Sequence, residues 1–197
     1  MTRRQLFAAA FGTSAAVTLL TVGQTLAPLR RLALLAPRRP DVGPQGFPVN
    51  RTARTAGVEQ AARVATYRLE VRGRGVTRLR LTLDDVRAMP HRRATLPIAC
   101  VEGWSTSQTW DGVSLRDLLQ RAGVSEPRAV RVESLQRRRS YRSSIVDADQ
   151  VADRDTLLAT RVNGEELALD HGYPIRLIGP NRPGVMQTKW VTRVVVL

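Results

Sequence analysis

The chain is most informative over residues 100–115, where Cys100-Val-Glu-Gly-Trp104 is followed, five residues on, by Trp110-Asp-Gly-Val-Ser-Leu115. The preceding run, Thr95 to Val101, reads as a buried type of strand ending at Cys100. A Gly-Trp turn then leads towards a helix. Ser114-Leu-Arg-Asp117 has the spacing of a capping box, and Leu115, Leu118 and Leu119 form one apolar helical face. This order sets a thiol at a strand end beside a turn, where a ligand can reach it. A thiolate there suits a soft or redox-active metal. It also suits a nucleophile, and a lone cysteine is often a small core residue. The chain has one Cys and two His, too few for an intrachain disulfide or a four-ligand Cys/His zinc site. Neither His91 nor His171 is close to Cys100 in sequence.

Outward from this stretch the pattern is mostly of strands. Tyr67–Arg72 and Arg78–Leu83 alternate apolar and polar residues, and Val130–Ser134 does the same. Asp84 is expected to cap a short helix running to Met89, stopped by Pro90. Gly123 suits the position just past the Leu115 helix. Asp147–Val151 reads as a helical turn, and Tyr141 as a strand aromatic. Leu157–Val162 and Glu166–Leu169 flank Asn163-Gly164, a type I′ hairpin signal. Ile175–Ile178 and Trp190–Leu197 complete the set. Many strands with a few short helices make an α+β domain over residues 66–197.

Two different segments precede it. Residues 1–29 include an uncharged run from Gln5 to Leu29, long enough for a membrane helix of about 20 residues. It follows Thr2-Arg3-Arg4-Gln5-Leu6-Phe7, similar to a twin-arginine export signal. The expectation is export or outward anchoring, with the following domain on the extracytoplasmic, periplasmic-side face. Residues 30–65, with Pro37, Pro40, Pro44 and Pro48, read as a poorly helical tether, in which Phe47–Thr52 docks on the domain.

The formal charge is +14, and the first forty residues hold six arginines and no acid. The remaining basic residues are dispersed apart from Arg137-Arg138-Arg139, and no stripe of arginine with interleaved aromatics appears. Nucleic acid is therefore not an expected partner. Of 31 Lys and Arg residues only Lys189 is lysine, which points to a site that takes a compact ammonium rather than a planar guanidinium.

Cys100-x-Glu-Gly-Trp104, Trp110-x-Gly with its Leu-rich helix, Asn163-Gly164-Glu165, His171-Gly-Tyr-Pro-Ile-Arg176 and Lys189-Trp190, taken in order, resemble the oxidoreductase molybdopterin-binding domain family. That family includes sulfite oxidase and the catalytic subunit of periplasmic methionine sulfoxide reductase. The resemblance spans residues 66–197 and reaches back to Asn50. It implies the sulfite oxidase fold, with a molybdenum–molybdopterin cofactor. Cys100 would be the protein's ligand to molybdenum, alongside two dithiolene sulfurs of the pterin. His171 would lie near the pterin, and Arg176 would hold the cofactor's phosphate or pterin end. Lys189 would sit in the loop closing over the cofactor, with Gln187 and Thr188 offering backbone N–H groups. Ser134 would be a hydroxyl near the cofactor, and Asn50 would belong to the N-terminal docking segment. The chain departs from the pattern at Gly179-Pro-Asn-Arg-Pro-Gly184 and at Arg137–Arg139, both expected at the substrate entrance.

The resemblance implies oxygen-atom transfer to or from an S-oxide, an N-oxide or a sulfite-like substrate. Without the dimerisation domain of sulfite oxidases, the chain is expected to fall nearer the reductase branch. With no haem or flavin motif here, electrons would pass to or from a haem-containing partner. The alternative is a membrane-anchored binding module of the same fold that has lost the cofactor. Trp104 and Trp110 are expected in the core, His91 in a surface loop, and Glu102 as either a support of the Cys100 loop or an exposed carboxylate.

Overall fold

The computed structural model describes residues 3–21, 41–63, 65–137 and 141–197, and folds the alternating segments into two five-stranded sheets. Before the sheets come helices α1 (Arg3–Thr21), α2 (Ala53–Ala56) and α3 (Glu59–Arg63). Strands β1 (Leu69–Gly73) and β2 (Leu79–Leu81) lead to α4 (Leu83–Arg87). Then come β3 (Arg92–Ala99), β4 (Ser105–Ser114) and α5 (Leu115–Arg121). Strands β5 (Val130–Ser134) and β6 (Ser143–Val146) precede α6 (Ala148–Ala152). Last are β7 (Leu157–Val162), β8 (Glu165–Glu166), β9 (Arg176–Ile178) and β10 (Val191–Val196).

The first sheet has the order β2-β1-β10-β5-β6, with β1 and β10 parallel and the other pairs antiparallel. The second runs β3-β4-β7-β8, and β9 joins β7. The α+β expectation stands. The larger core packs Leu69, Val71, Val132 and Val194 of the first sheet against Leu115, Leu118 and Leu119 of α5. A second core gathers Phe47, Trp104, Trp110 and Ile178 around the other sheet. A third holds Trp190 against Ala53, Val58 and Ala62, so residues before β1 are packed onto the domain.

Several local expectations change. The long strand β4 was not read from its polar start, Ser105–Thr109, yet it is held on both sides by β3 and β7. β3 is an edge strand whose burial alternates rather than a strand buried on both faces. Pro97 within it needs no ladder N–H on the open side. Ser114 does not cap α5 with its side chain; the first helical N–H, that of Leu115, donates instead to the Thr156 carbonyl at 2.8 Å. The cap of α4 is Thr82, in a reciprocal capping box with Asp85, rather than Asp84. Tyr141 is not in a strand but in a turn at φ 67°. The Asn163-Gly164 hairpin is present, with both residues at positive φ and Val162 opposite Glu165.

Of the run Gln5–Leu29 expected to be long enough for a membrane helix, the structure describes residues 5–21, within α1, and residues 22–29 lie outside the described ones; among the described residues no helix is long and apolar enough to cross a membrane. Gly12, Thr13, Ser14 and Thr18 dilute the hydropathy of α1.

Candidate functional site

β3 ends at Ala99, and the next five residues turn back into β4. The turn is closed by the Cys100 N–H donating to the Trp104 carbonyl at 2.9 Å and the Gly103 N–H donating to the Cys100 carbonyl at 3.1 Å. Gly103 has φ 84°, a conformation that glycine adopts without steric cost. The Gly179–Gly184 loop packs closely here: a Cβ on Gly184 would lie 2.9 Å from the Ala99 carbonyl oxygen. Glycine thus lets that loop close against the strand end next to Cys100.

The half-buried Cys100 thiol faces a cavity of about 240 Å³. Its Sγ accepts from the Glu102 backbone N–H at 3.3 Å and from the Asn50 side-chain amide. Trp104 Nε1 donates to Asn50 Oδ1 at 3.2 Å, so Asn50 bridges the tryptophan and the thiol. Trp104 is a core residue, as expected, and also a cavity wall.

Arg51, Arg176 and Lys189 bring positive charge to the same cavity wall. Arg176, at the start of β9, is buried, and Nη1 donates to the His171 carbonyl at 3.2 Å. Its guanidinium lies 5.2 Å from the Trp110 ring centroid, and its Nε has no partner among the described residues. Burial pulls the Arg176 pKa down to about 10. Lys189 Nζ donates to the carbonyls of Asp170 at 2.6 Å and Arg51 at 3.1 Å. Burial, and then the neighbouring Arg176 charge, hold its pKa well below the usual lysine range, with Asp170 and Cys100 acting the other way. Among the described residues, no carboxylate forms an ion pair with Arg176 or Lys189. Gly172, at φ 117°, brings them together: a Cβ there would lie 3.2 Å from the Cβ atoms of both Arg176 and Lys189. A buried Arg176 beside a half-buried Lys189, with no carboxylate in ion-pair contact among the described residues, is costly unless an anion joins them.

The other expected residues occupy different layers. Gln187 and Thr188 are buried and line the cavity. The Gln187 N–H is already spent on the Gly184 carbonyl at 3.2 Å, so the backbone donation expected of it is not available. Its side-chain Nε2 donates to the Arg182 carbonyl at 3.1 Å, while Oε1 has no partner among the described residues. Thr188 Oγ1 bonds Ser144 Oγ at 2.8 Å. Ser134 stands behind the wall, where its Oγ donates to the Lys189 carbonyl at 2.8 Å and accepts the Gln136 N–H at 3.2 Å. His171 is also outside the cavity lining. It is fully buried and stacked on Phe47 with ring centroids 3.6 Å apart. Nε2–H donates to the Pro44 carbonyl at 2.7 Å, and burial lowers its pKa to about 3, so the ring is neutral. His171 therefore backs the Phe47 wall, and its Nδ1 is buried without a partner among the described residues.

Gln136 and Arg182 were not anticipated, and Tyr141 was expected as a strand aromatic. Gln136 lines the cavity with Oε1 buried and without a partner among the described residues. Arg182, inside the Gly179–Gly184 loop, is buried and donates to Gln150 and to the carbonyls of Ile145 and Met186, which fixes the loop. Tyr141 stands at the cavity mouth. The only sequence signal for Arg182 is its place between Pro180-Asn181 and Pro183. Of the Arg137–Arg139 run only Arg137 is among the described residues. His91 pairs with Asp111 at 2.6 Å, away from this cavity.

The donor set can be judged for a metal group. Among the described residues, no three His, Cys, Asp or Glu side chains converge on one point. A metal at Cys100 would take its remaining ligands from outside the protein. Arg176 Nε, Gln187 Oε1 and Gln136 Oε1 offer one donor and two acceptors to a polar organic group, and the Arg176–Lys189 pair offers positive charge to its anionic end. These residues fit a thiolate-anchored metal on an anionic organic cofactor.

Comparison with known proteins agrees with this chemistry. The model of the family described as oxidoreductase molybdopterin binding domain matches residues 55–197. The mitochondrial sulfite oxidase of Drosophila melanogaster is 34% identical over 155 residues, covering 66% of this chain and 27% of that protein. An uncharacterized oxidoreductase, YuiH, of Bacillus subtilis (strain 168) is 30% identical over 146 residues, covering 74% of this chain and 71% of that protein. The sulfane dehydrogenase SoxCD from Paracoccus pantotrophus superposes with a TM-score of 0.61 at 29% identity, over 67% of this chain and 38% of the matched one. The chain thus spans about a quarter of the fly sulfite oxidase it matches and well under half of the matched SoxCD chain.

Proposed function

The chain belongs to the oxidoreductase molybdopterin binding domain family, and from that premise we propose that it carries out oxygen-atom transfer at a sulfur or nitrogen centre, exchanging electrons with a separate carrier. The observation that carries the reading is the Cys100 thiol lining the same cavity as the buried Arg176 and the half-buried Lys189, neither of which is ion-paired to a carboxylate among the described residues. The names of the relatives, sulfite oxidase and sulfane dehydrogenase, support a sulfur centre.

When bound, a molybdenum–molybdopterin group supplies the two-electron redox change and the exchangeable oxygen. Cys100 is its protein ligand in this reading. Asn50 and the Glu102 N–H hold the sulfur in one orientation, since both donate to it. Arg176 and Lys189 bind the anionic end of the cofactor, and the two carbonyls on Lys189 Nζ fix where its charge points. Ser134 positions Lys189 through the backbone, and His171 positions the Phe47 wall. Tyr141, at the mouth, is placed to hand a proton to, or take one from, the oxygen that joins or leaves the substrate.

Placement outside the cytoplasm is part of the same proposal, supported by Arg3-Arg4 ahead of an uncharged run. Fractionation of the tagged full chain tests it.

The direct test is purification from a molybdopterin-competent host, followed by metal analysis and turnover with sulfoxides, N-oxides and sulfite. About one molybdenum per chain with turnover on one class supports the proposal. Well-folded protein without molybdenum would leave a binding module of this fold.

A further inference from the structure

The region of the chain next to the cavity carries charge that oxygen-atom transfer does not use. On the outer face of the first sheet, Arg131, Arg137, Arg142 and Arg193 line an open hollow of about 620 Å³. Among the described residues that line it Glu133 is the one acid, held between Arg131 at 3.0 Å and Arg193 at 2.8 Å, and Arg193 also pairs with Glu70 at 3.2 Å. Among the described residues, neither Arg137 nor Arg142 is ion-paired. The hollow and the cavity share a wall: Gln136 lines both, and Ser134 at the edge of the hollow bonds the Lys189 backbone. At the cavity mouth two apolar side chains stand in solvent, Val101 at 77% exposure and Tyr141 at 60%.

We propose that this arginine-lined hollow and the adjoining apolar mouth form the docking surface for the electron carrier, and that the carrier is a protein with an acidic surface. The inference rests on the oxidoreductase reading and adds to it the place and charge of the partner. Charge complementarity selects an acidic surface. Exposed Val101 and Tyr141 beside a charged rim match the anatomy of a protein contact, an apolar centre in a polar surround. A small anion would leave the apolar part uncovered. Gln136, which lines both concavities, stands between a docked carrier and the cavity, so electrons pass without contact between substrate and carrier. Oxidation of a sulfur centre by water releases two protons and two electrons as the S–O bond forms. Two one-electron carriers then dock in turn and leave reduced, and reduction of an oxide reverses each step.

The test uses two forms of one haem protein, unmodified basic cytochrome c and the same cytochrome made acidic by succinylation. Their binding to the molybdenum-loaded full chain is measured against ionic strength, in the native protein and in an Arg137→Glu/Arg142→Glu variant. The native chain is expected to bind the acidic form, with affinity falling as salt rises. The charge reversal is expected to weaken that binding by about tenfold or more and to flatten the salt dependence. The melting temperature is expected to stay unchanged, and the native chain is expected to turn over with a small dye as electron carrier. If the reversed variant fails to fold, Arg137→Gln/Arg142→Gln carries the same test with a smaller loss. Equal binding of the acidic cytochrome to native and variant chains overturns the proposal. So does binding of phosphatidylglycerol vesicles, sensitive to the reversal, in the absence of cytochrome binding: the hollow would then face a lipid surface. Absent dye turnover would count against the oxidoreductase reading alone, since the binding measurements stand without it.

Discussion

Replacing Arg176 by Met removes a buried charge while keeping much of the side-chain volume, and its effect can be worked out in both states of the site. In the empty protein, burial lowers the Arg176 pKa from the ordinary guanidinium value to about 10. At about 1.4 kcal/mol per unit, that is an unfavourable contribution of about 3 kcal/mol. The folded value is the lower one, so the penalty is complete below pH 10 and relieved only as pH rises above it. Against this, the substitution loses the hydrogen bond to the His171 carbonyl, about 1–2 kcal/mol, and the contact over Trp110, about 1 kcal/mol. The terms nearly cancel, and empty Arg176→Met is expected to match the native chain to within about 1 kcal/mol. The loaded protein behaves differently. Its extra stability comes from a ligand that binds only the folded state, and much of that increment disappears with the guanidinium. Urea unfolding of protein made with and without molybdopterin synthesis measures both. An empty variant destabilised by more than about 3 kcal/mol, with an intact loading increment, would show that Arg176 is a structural residue.

Three further outcomes follow from the same geometry. Lys189→Met is expected to raise the stability of the empty protein, because burial holds the ammonium well below its ordinary pKa, and to cut molybdenum content several-fold in loaded preparations; denaturant melts and metal analysis check both. His171 contributes stability that is complete above pH 6.5 and lost as pH falls towards about 3, since its folded value is the lower one. Melting curves across that window are expected to fall steeply for the native chain and more gently for His171→Gln. Asn50→Ala removes the bridge between Trp104 and Cys100, and is expected to shift Trp104 fluorescence and lower molybdenum retention, with a stability loss of about 1 kcal/mol.

Legibility followed the locality of the signals. β1, β5 and the β7–β8 hairpin were readable because alternation and Asn163-Gly164 act within a few residues. β4 was hidden because Ser105–Thr109 has no apolar alternation of its own; pairing to β3 and β7 makes it a strand. The Ser114 cap failed for a related reason: the carbonyl of Thr156, distant in sequence, takes the N–H that a local cap would have satisfied. At the site, Cys100 and Lys189 stood out by rarity, and Asn50, Arg176 and Gln187 entered by resemblance. Ser134 and His171 were named as near the cofactor, yet one acts through the Lys189 backbone and the other through Phe47. Sequence order alone does not separate a residue that lines a cavity from one that supports the wall. Arg137 stood out as part of the Arg137–Arg139 run, whereas Gln136 gave no local signal, because its meaning depends on a wall shared between two concavities.

The central claim is that Cys100 binds molybdenum through sulfur. X-ray absorption at the molybdenum edge, on the loaded native chain and on Cys100→Ser, tests it most directly. Three sulfur ligands are expected in the native protein, two from the pterin and one from Cys100, and two in the variant. The same sulfur count in both proteins would contradict the assignment.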